Sequence, residues 1–215
     1  MDRFYTPAAV ATFLVRELIG RGPLPMALAR QRASKGTPQI GVVEPFAGRG
    51  ALSRAAKEEL TSGPLVRVGA PWAVQVRGWD VDAEAVAAAA TEGWPVSLWD
   101  AGERTTPGEC YPPGGLEGLP PVTLLLANPP WAQILLRLRQ LRAAQGELGA
   151  RPGTACTPLL VLTSLKVLES LERIQGLWLS DPPDEVWVLA RRVYWGGPDY
   201  RSEEHTSELQ SRGLI

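Results

Sequence analysis

The stretch Leu126-Ala-Asn-Pro-Pro-Trp131 closes an apolar run, Val122 to Leu126, that reads as a buried strand. Asn-Pro-Pro-aromatic at the carboxyl end of such a strand can grip a planar amino group. On adenine or on an amide, that nitrogen's lone pair is delocalised, so it is a poor nucleophile. Two acceptors can draw on its two N–H bonds: the Asn128 side-chain oxygen and a backbone carbonyl released where Pro129 and Pro130 cannot continue a ladder. The nitrogen then becomes more tetrahedral and its lone pair can attack an electrophilic methyl. Trp131 would stack on the ring that carries the amine. Asn-Pro is also an ordinary turn former, so the motif alone leaves a plain strand-to-loop turn open.

Other segments occur in an order that bears on this choice. Ile40 to Ser53 reads as strand, glycine turn and helix. Gly48 and Gly50 would let the backbone approach a ligand at a helix amino end, and Leu52, Ala55, Ala56 and Leu60 recur at helical spacing. Such turns also serve dinucleotides and simple packing. Val74 to Asp82 is a second strand ending in acid, with Asp80 about 36 residues after Glu44, roughly one βαβ unit. A carboxylate there can accept from both hydroxyls of a ribose. The competing role, helix capping, suits Asp82 better, because Ala83 to Ala90 follows it directly. A third strand, Pro95 to Asp100, also ends in acid.

With these segments in view, the chain resembles the S-adenosylmethionine-dependent amino-methyltransferases, and among them the adenine-N6 DNA methyltransferases of the small kind found in phages. Phe4 to Val15 looks like the family's first cofactor motif and Glu44 to Gly50 like its glycine motif. Asp80 looks like its ribose acid, Asp100 its adenine-contacting acid, and Asn128 to Trp131 its catalytic motif. The resemblance covers about residues 3 to 200. It implies a Rossmann-like α/β sandwich with a mostly parallel sheet. It also implies S-adenosylmethionine held by Tyr5, Thr6, Glu44, Phe46, Gly48, Gly50, Asp80, Val81 and Asp100, with Thr6 and the glycine turn at its methionine end. The implied partner is double-stranded DNA with a flipped adenine, held by Trp131, Arg192, Tyr194 and Trp195. Val193 stands where the family has proline in the element that packs a ring beside the base. Transfer to a protein glutamine amide or an RNA base would use the same motif, and a noncatalytic binding module is the alternative of another class.

The end of the chain reads differently. Arg201 to Ser211 matches one frame of a widely used short-read sequencing adapter. The expectation is a catalytic domain over residues 1–200 and a non-native, disordered tail over 201–215. The sole histidine, His205, falls in that tail, which removes histidine chemistry from the rest. Without Arg201, Arg212, Glu203, Glu204 and Glu208, basic and acidic residues balance at 20 each. Such a balance is not the mark of a strong nonspecific nucleic-acid binder, although charge can be local. Arg137, Arg139 and Arg142 read as a solvated face of the helix after the motif. Cys110 and Cys156 have no ligand spacing, so no metal is expected. The first helix carries Arg16 and Glu17 and is too short to span a membrane, so a cytoplasmic location is expected.

The remaining elements must position these residues. Thr6 would cap the first helix with Pro7 in its first turn, and Val10, Phe13, Leu14 and Leu18 would form its buried stripe. Gly20 to Gln39 reads as a polar connection. Ala101 to Pro121, dense in Gly and Pro, reads as a loop, either a rim over the cofactor or a surface insertion. Ile134, Leu135, Leu138 and Leu141 mark the next helix. Leu159 to Leu165 is a fifth strand, Val167 to Leu179 a helix and Val186 to Val193 a sixth strand. The family's final antiparallel strand has no counterpart before the tail, so the sheet is expected to lack it.

Overall fold

The computed structural model describes residues 6–21, 24–33, 38–63, 72–100, 110–130, 133–163, 179 and 182–186. All but Leu179 of the proposed helix over 167–179, all but Val186 of the sixth strand, the 201–215 tail and the position of a final strand lie outside these residues.

The chain runs α1 (Ala8–Gly20), α2 (Leu24–Ala33), β1 (Gln39–Pro45), α3 (Ala51–Thr61), β2 (Ala73–Asp80), α4 (Ala83–Thr91), β3 (Val96–Leu98), β4 (Thr123–Ala127), α5 (Ile134–Ala150) and β5 (Leu159–Val161). The strands form one sheet in the order β3-β2-β1-β4-β5. Every described pairing is parallel. This is a Rossmann-like α/β architecture, and it follows from the alternation of strand and helix in the sequence. The chain steps outward from β1 to β3, then returns to place β4 on the other side of β1. That reversal opens a crevice at the carboxyl ends of β1 and β4, where ligands of open α/β sheets bind.

Both faces of the central strands are covered, so β1 from Ile40 on and all of β4 are buried and mostly apolar. Side chains alternate between two cores. Ile40, Val42, Leu124 and Leu126 face one core with Leu14, Val15, Leu52, Ala56 and Leu60 from α1 and α3. Val43, Leu125 and Ala127 face the other, with Leu141, Ala144 and Leu148 of α5. The helical spacing seen in α3 is realised, because Leu52, Ala55, Ala56 and Leu60 are all buried.

Four features differ from expectation. Residues 24–33 are helical rather than a polar connection. Leu24, Ala27 and Leu28 lie on one side of that helix and are buried, and Pro25 is tolerated in its first turn. The buried stripe of α1 is Ala11, Leu14, Val15 and Ile19, while Phe13 is 48% exposed. Pro7 takes the N-cap position without a side-chain cap, so Thr6 does not cap α1. The part of the Gly/Pro-rich segment that is described, residues 110–121, is no surface insertion: Cys110, Tyr111, Leu116 and Leu119 enter the second core. Arg151 donates to the carbonyls of Leu116 and Leu119, both at 2.8 Å, and Arg77 donates to that of Gly115 at 2.6 Å. Tyr111 donates its hydroxyl proton to the Glu147 carboxylate. Irregular backbone is buried here because arginine side chains satisfy its carbonyls.

Candidate active site

All the strands point the same way, so the residues that follow them gather at one end of the sheet. The turn after β1 carries Phe46, Gly48 and Gly50. Asp80 ends β2, Asp100 follows β3, and Asn128 follows β4. Among the described residues, Phe46 is the one non-glycine with positive φ, 62°; Gly48 and Gly50 follow at 54° and 77°. Three left-handed residues within five positions make this a tight, kinked turn.

Two carboxylates hold that turn. Asp80 Oδ2 accepts from Gly48 N at 2.6 Å, and Oδ1 accepts from Asp82 N at 2.8 Å. Each oxygen keeps a second lone pair, so the acid can still take ribose hydroxyls. Glu44 lies under the turn, 2% exposed, and accepts from the α3 amides of Leu52 at 3.2 Å and Ser53 at 2.9 Å. Burial pushes its carboxyl up to about 7, the hydrogen bonds from Ser53 and Leu52 draw it back, and the nearby Asp80 charge adds to the rise. Glu44 is therefore placed to hold the turn and the helix end.

Gly50 faces the Trp94 ring. A Cβ there would lie 2.4 Å from the Trp94 ring, so the missing side chain makes room for that indole. Trp94 is held in turn by donating its ring N–H to Ser53 Oγ at 2.9 Å. Asp82 does what the sequence suggests, capping α4 through Glu84 N and Ala85 N.

The rim of the site is open and mixed in character. Val81 is 60% exposed and Leu98 is 61% exposed, with Asp100 exposed beside them. Exposed apolar surface next to carboxylates suits a nucleoside, whose base packs on the one and whose hydroxyls bond to the other.

At the crevice, Pro129 is buried, Asn128 is half-buried and Pro130 is exposed. Asn128 Nδ2 donates to Thr6 Oγ1 at 3.1 Å, joining residues 122 apart in the chain. The Pro130 carbonyl accepts from Gln133 N at 3.3 Å as α5 begins. Thr6 is thus brought to the Asn-Pro-Pro loop. Tyr5, Trp131, Arg191, Arg192, Tyr194 and Trp195 lie outside the described residues.

Sequence reasoning missed Arg137. It is 7% exposed rather than solvated. Its guanidinium lies 5.3 Å from the Phe46 ring centroid and donates to Gln133 Oε1 at 2.6 Å and Gln140 Oε1 at 3.0 Å. Burial lowers its affinity for its proton, and the charge of Asp100 opposes that. The spacing Gln133, Arg137, Gln140 places three polar groups on one helical face and was the available signal. Arg139 is exposed, as expected, and Arg142 donates to Gln145 Oε1 at 2.6 Å.

Among the described residues, no group of three or more His, Cys, Asp or Glu could hold a metal ion. Nor is any described helix long and apolar enough to cross a membrane. No family model and no curated protein matches the chain.

Proposed function

We propose that this chain is an S-adenosylmethionine-dependent methyltransferase acting on a planar exocyclic amine, the N6 of a flipped adenine in DNA. One observation carries the choice of cofactor. The amides that open α3, where a Rossmann-like site would hold a pyrophosphate, are occupied by Glu44. A second carboxylate, Asp80, sits on the turn beside them. With the α3 amides already satisfied and the Asp80 carboxylate beside them, the place is poorly suited to phosphate and suits an unphosphorylated nucleoside. S-adenosylmethionine is such a nucleoside, and when bound it supplies an electrophilic methyl.

Asp80 accepts from the ribose hydroxyls, Val81 and Leu98 offer apolar surface to the adenine, and Asp100 lies at its edge. Asn128 accepts one N–H of the target amine through its side-chain oxygen, and a carbonyl of the proline pair accepts the other. Both acceptors stand ready before the reaction, so they stabilise positive charge on nitrogen as it develops. Holding the amine in line with the methyl supplies the rest. Trp131 stacks on the base, and Arg192, Tyr194 and Trp195 contact its surroundings, as the resemblance implies.

Transfer of a tritiated methyl group to DNA, RNA and protein substrates side by side tests this reading. Label in N6-methyladenine of DNA is the expected result. Label in RNA or in a glutamine amide would replace the substrate and keep the chemistry. No transfer together with no cofactor binding would reject the reading.

A further inference from the structure

Arg137 is out of keeping with its neighbours on α5. Ile134, Leu138 and Leu141 are buried along the same helix, and an apolar side chain at 137 would pack without the cost of stripping water from a charge. The guanidinium instead reaches both sides of the crevice. It lies 5.3 Å from the ring centroid of Phe46, in the turn after β1. Its Nη2 donates to Gln133 Oε1 at 2.6 Å, and Gln133 N donates in turn to the Pro130 carbonyl at 3.3 Å. Its Nη1 donates to Gln140 Oε1 at 3.0 Å, further along α5. Phe46 has φ 62°, a conformation that a bulky residue keeps only when its surroundings enforce it. A cation against the ring is one such constraint. The charge of Asp100, beyond β3, also acts on the guanidinium. A planar, rigid fork thus joins the β1 turn to the point where the Asn-Pro-Pro loop enters α5.

We propose that Arg137 is a positioning residue that couples the two halves of the site, so that a ligand settling on the β1 turn resets the Asn-Pro-Pro loop for the amine. This rests on the methyltransferase reading above. The guanidinium is planar, so its contacts with Phe46 and with Gln133 cannot be adjusted independently. A tilt that follows the ring changes the bond to Gln133. Gln133 carries the change to Pro130, in the pair whose carbonyl is assigned to the amine. No covalent bond forms or breaks, and only existing contacts are redirected. Coupling of this kind is reciprocal: an amine held by the loop tightens the turn's hold on its ligand by the same factor. A lysine at 137 would supply the charge without the fork.

The side-chain NH2 resonances of Asn128 and Gln133 in the isotope-labelled full chain report this coupling, with S-adenosylhomocysteine as the ligand. Saturating the wild-type chain is expected to shift both pairs. Arg137→Met keeps the apolar stem and removes the fork. It should still bind S-adenosylhomocysteine by calorimetry, and both shifts should be lost. Arg137→Lys, with charge but no fork, should lose them too. In methyl transfer, Arg137→Met should lower kcat about tenfold, within the usual size of coupling between sites, with a smaller change in the KM for S-adenosylmethionine. Should Arg137→Met fail to fold, Gln133→Met takes its place: Gln133 is half-buried, only one arm of the fork is lost, and the Asn128 shift should disappear. No shift in the saturated wild type, or shifts that survive any of these substitutions, overturn the coupling and leave the cofactor reading standing. Failure of the wild-type chain to bind S-adenosylhomocysteine overturns both.

Discussion

Asp80 combines two tasks in one carboxylate. It closes the glycine turn through Gly48 N and the start of α4 through Asp82 N, and in the proposed reading it also takes the ribose. Asp80→Ala should therefore weaken S-adenosylmethionine binding by about 1.5–3 kcal/mol per charged hydrogen bond lost. Asp82→Ala is the control. It removes the α4 cap, costs about 1 kcal/mol of stability, and should leave the affinity near that of the wild type. Calorimetry giving the same affinity for Asp80→Ala as for the wild type would remove Asp80 from the cofactor site. Asn128→Ala should lower methyl transfer by roughly 10²–10³, as for loss of one preorganised partner in an oxyanion hole, with cofactor binding retained. Transfer at the wild-type rate would show that the amine is held by something else. The residue types at strand ends were readable in the sequence because acids and Asn-Pro-Pro punctuate apolar runs. The roles of Glu44 and Thr6 were not, since a buried helix cap and a contact across 122 positions leave no local pattern.

At the scale of elements, the joint between β1 and α3 is tightly constrained. Gly50 has φ 77°, and an added Cβ would lie 2.4 Å from Trp94. Trp94 is itself flanked by the Arg54 guanidinium at 4.7 Å and the Lys57 ammonium at 5.3 Å from its ring centroid, so it has little room to move. Gly50→Ala should thus combine backbone strain of about 1–3 kcal/mol with an overpacking cost of similar size. Thermal denaturation checks this, and a variant within about 0.5 kcal/mol of the wild type would mean that the indole swings aside freely. The strands and α3 were legible because one physical cause, burial on both faces of a parallel sheet, writes continuous apolar runs and a helical stripe. The α2 segment was obscured by Pro25 and by arginines along a short helix. The 110–121 segment was obscured because its backbone is satisfied by Arg77 and Arg151, which lie far from it in sequence. In α1 the stripe falls one position away from the larger side chains: Ala11 is buried and Phe13 is not.

At the scale of the whole molecule, a near balance of charges conceals an acid in the interior. Glu44 is held at about 7 against an ordinary value of 4.5, chiefly because burial strips water from its charged form. The folded protein therefore binds this proton more tightly than the unfolded chain does. Its contribution to stability is fully present below about pH 4.5 and is lost as pH rises through about 7. A difference of this size corresponds to on the order of 3 kcal/mol from this one group. The free energy of unfolding should accordingly fall between about pH 5 and pH 8. Most carboxylates that are paired in a folded state give the opposite slope. Glu44→Gln mimics the protonated acid at every pH: it keeps one acceptor for the α3 amides and carries no charge. It should flatten the slope in this window, and at pH 8 it should unfold at higher denaturant than its behaviour at pH 5 relative to the wild type would suggest. Urea unfolding of both chains across the window decides the matter. Parallel curves for wild type and Glu44→Gln would show that Glu44 keeps an ordinary carboxylate's titration in the folded protein, and that water or the α3 amides stabilise its charge beneath the turn.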